Sequence, residues 1–142
     1  MNILAIESAS TVCGTALFLN STLVEIDEIT QSRIHGEHLP VIVSKILSNH
    51  SVEVADVNGI AVSAGPGSYT GLRIGMSLAK GLAAATGIPI ISVPTLQVMN
   101  AGISRNGVYW VLLHSHKKVV FAQRFLSGKP DSEIECEYFN VK

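Results

Sequence analysis

The stretch VSAGPGSYTGLRIG, from Val62 to Gly75, sets three glycines and a proline between an apolar run and a helix-like segment. Gly65, Gly67 and Gly71 relieve steric limits, and Pro66 fixes one φ. The N–H groups that open the following helix lack partners and attract anions, so a phosphate or nucleotide loop is one chemistry on offer. The spacing is neither G-x-x-x-x-G-K-[ST] nor G-x-G-x-x-G, and a tight strand-to-helix turn is the stronger reading. Ser68 does not make a nucleophile elbow, because Tyr69 and Thr70 separate it from Gly71. Glu7 is the best-placed carboxylate. Ser8, Ser10 and Thr11 after it could line an anion pocket, although a turn suits them better. Tyr69, an aromatic beside glycines, either contacts a partner or stacks on a base, or else lies back on the helix. His35, Glu37 and His38 do not follow H-E-x-x-H, and His38 alone is expected firmly on a helix starting there. His114 and His116 would share a strand face, but two imidazoles do not close a zinc site, so no metal is expected.

The elements that must position these residues read in order along the chain. Strands are expected over Asn2 to Glu7, Thr15 to Leu19 and Leu23 to Thr30, with a turn at SASTVCG and a hairpin at Asn20-Ser21. Glu37 to Asn49 reads as a helix, with Leu39, Ile42, Val43, Ile46 and Leu47 on one face; Pro40 must lie near its first turn or kink it. Asn58 to Ala64 is a buried strand, Thr70 to Thr86 a helix, Ile88 to Val93 a strand and Thr95 to about Ser104 a third helix. Gly71, Gly75, Ala79 and Ala83 lay a small-residue stripe along the second helix, which lets another backbone come close. Arg73 and Lys80 fall on its polar face. Val108 to Leu113, Val119 to Leu126 and Glu133 to Val141 read as three further strands, the opening of a second similar unit without helices. Strands alternating with helices argue a mixed α/β sheet with parallel crossovers.

At 142 residues the chain suffices for one domain with a real core. Its 47% apolar and 15% charged residues argue against disorder. The net charge of -1 and scattered basic residues advertise neither nucleic acid nor a membrane surface. No apolar run reaches membrane-spanning length, and MNILAIES lacks the basic region of a signal peptide. Cys13 and Cys136 make no disulfide framework; Cys13 reads as a small buried hydrophobe, and a reducing, cytoplasmic home is expected.

GPGSYTGLRIG, Gly65 to Gly75, resembles the signature of the TsaB (YeaZ) family, part of the ASKHA superfamily of actin, sugar kinases and Hsp70. ILAIESAS (Ile3 to Ser10) is similar to that family's first strand and turn, HGEHLP (His35 to Pro40) to its H-[SA]-E-x-L-x-P, and IPIISVPTL (Ile88 to Leu96) to the run after the second helix. Glu7 stands where the family commonly has Asp and its catalytic relative TsaD has Glu. The resemblance implies an ASKHA N-terminal lobe over 1–105 and a partial second lobe over 106–142. It also implies a non-catalytic subunit of the complex that makes threonylcarbamoyladenosine in tRNA. Its partners would be a TsaD-type transferase and a TsaE-type ATPase, with tRNA reached indirectly and a homodimer in isolation. The contact surface would comprise Glu37, Val41, Tyr69, Thr70, Arg73 and Lys80. No cofactor is expected on this chain alone, with ATP or ADP at a complex interface. The alternative is an ASKHA-type transferase or kinase using Glu7, Ser8 and the Gly65–Gly71 loop, with Gly67 and Ser68, around a nucleotide. After Asn106 the match weakens: His114 to Phe121 stands where the family places D-A-R-x-x-E-V-Y, so the second lobe is that of a short version or a fragment.

Overall fold

The computed structural model describes residues 1–31, 34–115 and 118–138. Strands β1 (Ile3–Glu7), β2 (Val12–Leu19) and β3 (Thr22–Thr30) form an antiparallel meander. Asn20 and Ser21 turn it with φ of 51° and 64°, the left-handed pair that matches strand twist. Helix α1 (His35–Asn49) leads through a 3₁₀ turn at Val54–Asp56 to β4 (Gly59–Ser63), which lies parallel to β1. Helix α2 (Tyr69–Thr86) then crosses to β5 (Ile90–Val93), parallel to β4, and the sheet order is β3-β2-β1-β4-β5. A short helix, α3 (Thr95–Ala101), leads to a second sheet of β6 (Val108–His114), β7 (Val119–Leu126), β8 (Lys129–Pro130) and β9 (Glu135–Tyr138). There β7 is central, with β6 on one side and both β8 and β9 on the other.

Alternation along the strands decides what is buried. Leu4 and Ile6 of β1, Cys13 and Leu17 of β2, and Ile60 and Val62 of β4 meet Leu39, Ile42, Val43, Ile46 and Leu47 of α1 in the main core. That set is the apolar face expected of α1. In the second sheet Tyr109, Val111 and Phe125 close over Leu96 of α3. The Tyr109 hydroxyl donates to Asn100 Oδ1 at 2.8 Å, and Asn100 Nδ2 donates to the Gly128 carbonyl at 2.9 Å, so α3 is fastened to the sheet by a buried polar chain.

Several elements differ from the sequence expectation, and β5 starts at Ile90, not Ile88. β2 starts at Val12, not Thr15, because Val12 and Cys13 pair with Thr30 and Ile29. α1 starts at His35 despite Gly36. Pro40 is therefore beyond the first turn, and the carbonyl it cannot serve belongs to exposed Gly36. α3 ends at Ala101, with Gly102 as its cap. The last expected strand is β8 and β9 separately, and residues 139–141 lie outside the described residues.

Candidate functional site

The β1–β2 turn and the glycine loop form one packed unit. Glu7 Oε1 accepts the Ala9 N–H at 2.6 Å, Ser63 Oγ accepts the Ser8 N–H at 3.3 Å, and Ser10 Oγ accepts the Val12 N–H at 3.1 Å. The Ser68 N–H donates to the Ala9 carbonyl at 2.7 Å. A phosphate in the turn would need such N–H groups, and these are already engaged by the chain itself. The small-residue stripe of α2 explains the closeness. An ideal Cβ on Gly67 would lie 2.3 Å from the Ala9 carbonyl oxygen, one on Gly71 2.1 Å from that of Ser8, and one on Gly75 2.2 Å from Ser8 Oγ. Gly65 also needs the left-handed region, at φ 100°.

Ser68 is the N-cap of α2, its Oγ accepting the Gly71 N–H at 3.2 Å. This role was legible as a serine just before a periodic run, and the loop reading passed over it. Ser68→Ala is expected to lower stability by about 1 kcal/mol, the usual worth of an N-cap, read as a shift of the urea midpoint at unchanged m-value.

Beyond the cap, the outer face of α2 is open. Tyr69 is 72% exposed, and its ring is covered by Arg73, whose Cζ lies 4.9 Å from the centroid. So Tyr69 lies back on its helix and is exposed at once. Arg73 and Lys80 line a crevice of about 370 Å³ together with Ser63 and Ala64. From Val57 to Pro130 the sequence has no Asp or Glu, so these two cations meet no carboxylate on their own helix. A shallow groove of about 740 Å³ runs between Gly36 and Pro40 of α1 and Thr70, Ile74 and Leu78 of α2. Glu37 and Val41 stand exposed on α1, Val41 at 60%. Surface ties hold α1 to β3: Lys45 Nζ to Asp27, which raises the Lys45 pKa through that hydrogen bond, and His50 Nε2 to Glu25 at 2.8 Å.

Between the two sheets lies a cleft of about 910 Å³ whose lining includes Ser10, Thr11, His35, Ser68, His114 and Phe121. His35 and His38 both lie on α1, contrary to expectation, since the helix starts two residues early. Yet His35 is 6% exposed, its Nε2 is 3.0 Å from the Val12 carbonyl, and it serves to pin the helix start to β2. Among the described residues no three His, Cys, Asp or Glu groups converge on a metal position. His116 lies outside the described residues, so the pair with His114 is not placed. Burial pushes the Cys13 thiol up, which suits an inert core residue. No helix among the described residues is long and apolar enough to cross a membrane.

A 3-2-1-4-5 mixed sheet with its helices on the crossovers, followed by a second meander, is an α/β lobe of the ASKHA type. Residues 26–124 match the family model described as TsaD: tRNA N6-adenosine threonylcarbamoyltransferase. The chain belongs to this family, on its TsaB (YeaZ) branch. The tRNA threonylcarbamoyladenosine biosynthesis protein TsaB of Escherichia coli is 39% identical over 113 residues, covering 79% of this chain and 48% of that protein. The protein of the same name from Buchnera aphidicola is 32% identical over 130 residues, covering 89% of this chain and 58% of that one. A crystal structure from Pseudomonas aeruginosa, of an uncharacterized protein with similarity to peptidase YEAZ, superimposes with a TM-score of 0.84 at 20% identity. It covers 96% of this chain and 66% of that one, and it shows the fold. The chain thus spans about half the length of the curated relatives it matches.

Proposed function

We propose that the chain is a partner subunit, without catalytic groups of its own, of the complex that puts threonylcarbamoyl on adenosine in tRNA. In this reading it pairs with a TsaD-type transferase through the outer faces of α1 and α2. The observation that carries the reading is a contrast between two neighbouring surfaces. In the β1–β2 turn the N–H groups of Ser8, Ala9 and Val12 are taken by Ser63, Glu7 and Ser10, whereas Val41 and Tyr69 stand exposed beside it. Glu37, Val41, Tyr69, Thr70, Arg73 and Lys80 are the proposed contacts. The opposing face would carry carboxylates against Arg73 and Lys80.

The lobes divide near residue 105. A TsaE-type ATPase docks on the pair, tRNA reaches it indirectly, and ATP or ADP binds at the interface of the assembled complex. Without the transferase, the same helices associate with a second copy, since one self-complementary patch suffices. The transferase or kinase alternative draws no support from Glu7, whose Oε1 is turned onto its own Ala9 N–H.

The test is a titration with a TsaD-type transferase followed by sedimentation. A defined complex is expected, together with no thermal stabilisation of the isolated chain by phosphate or ADP. No complex would overturn the partner role. Phosphate stabilisation lost in Arg73→Ala would overturn the closed-loop reading.

A further inference from the structure

The net charge of -1 conceals an uneven distribution. Seven Asp or Glu fall before Val57 and four after Pro130, whereas the stretch between them holds seven Lys or Arg and no acid. Two other cations of the chain do meet a carboxylate: Lys45 pairs with Asp27, and Arg124 Nε lies 2.9 Å from Asp131 Oδ2. Arg73 and Lys80, both exposed on α2, belong to no ion pair among the described residues.

Their placement on the helix is regular. Lys80 follows Arg73 by two turns, which separates them by about 10.5 Å along one face of α2. Ser77 lies between them, one turn after Arg73. Tyr69, one turn before Arg73, holds the guanidinium over its ring at 4.9 Å, so part of the cost of ordering that side chain is met before a partner arrives. Tyr69, Arg73 and Ser77 border both the crevice and the α1–α2 groove and so form the ridge between them. Lys80 lines the crevice alone, together with the apolar Leu72 and Met76.

We propose that Arg73 and Lys80 are a two-point clamp for an acidic helix of the transferase, laid along α2, whose two carboxylates stand seven residues apart. The proposal rests on the α1–α2 docking reading and specifies what that face recognises. Equal spacing on the two helices lets both ion pairs close at once when the axes lie nearly aligned. Arg73 takes its carboxylate in a planar fork and Lys80 as a point charge, while Leu72 and Met76 receive the methylene stems. A lone phosphate can meet only one end of that span, and a nucleic-acid backbone has no such stem to set against Leu72 and Met76. The clamp also fixes register. Sliding the partner helix by one turn leaves a cation without its acid, a penalty that the apolar contacts at Val41 and Tyr69 do not impose.

The experiment is a charge-swap titration of the full chain with a TsaD-type transferase over a range of salt. Arg73→Gln and Lys80→Gln are each expected to weaken Kd about tenfold at low salt and to flatten its salt dependence. Both positions are exposed, so the unfolding curves should not move. Arg73→Glu and Lys80→Glu are then each paired with transferase variants in which one Asp or Glu at a time is replaced by Lys. Rescue by at least about tenfold is expected at one position for each variant, the two lying seven residues apart on one helix. No rescue, or rescue on separate elements, overturns the proposal. So does an unchanged Kd in both glutamine variants; if Val41→Glu still binds poorly, the docking reading survives, and if it binds like the wild type, that reading falls too. Binding of tRNA by the isolated chain, lost in Arg73→Gln, would reassign the pair to a nucleic acid and overturn the clamp.

Discussion

Gly71→Ala is expected to destabilise the fold by about 3 kcal/mol, at the upper end of overpacking costs, and to lower Tm by roughly 10 °C. The added Cβ would lie 2.1 Å from the Ser8 carbonyl oxygen, a backbone atom that cannot rotate away as a side-chain tip can. Ser8 is fully buried and its N–H is held by Ser63, so relief would require moving α2 off β1 as a whole. Gly81 is the internal control. It lies on the same helix with no heavy atom within 4 Å of its ideal Cβ, so Gly81→Ala should stabilise by about 1 kcal/mol through helix propensity. Thermal or urea unfolding of the two variants reads both signs. A Gly71→Ala protein as stable as the parent would mean that the stripe is not a close contact.

Val41→Glu is expected to weaken pairing with a TsaD-type transferase strongly while leaving the fold intact. Val41 is 60% exposed, so the free chain keeps a glutamate there in water at little cost beyond mild repulsion from Glu37 one turn earlier. Once a partner covers the position, the carboxylate is buried without a counter-charge, and the penalty of about 3 kcal/mol weakens Kd by roughly a hundredfold. Tyr69→Ala should weaken binding less, since it removes contact area without adding a charge. Calorimetric titration together with an unfolding curve separates the two effects. An unchanged Kd for Val41→Glu would place the interface elsewhere.

The glycine segment was the most legible part of the sequence. Its every-fourth-residue spacing announced a close approach, and the close approach is there. What spacing could not supply was the identity of the atoms approached, since Ser8 and Ala9 are distant in sequence. The apolar face of α1 was legible for the same periodic reason, whereas its start was hidden by Gly36. The role of His35 followed from that start: with the helix expected from Glu37, His35 lay ahead of it, and its bond to the Val12 carbonyl at the helix start could not be foreseen.

The fit between α2 and the β1–β2 turn also has a mechanical meaning. With Gly71 against the Ser8 carbonyl and the Ser68 N–H bonded to Ala9, helix and turn have no slack between them and must shift together. The outer side of the helix is the proposed docking face, and Ser10 and Thr11 of the turn border the cleft between the sheets. Tyr69 and Thr70 line that cleft as well, so a protein docked on them would close one of its walls and bear on helix and turn as a single body.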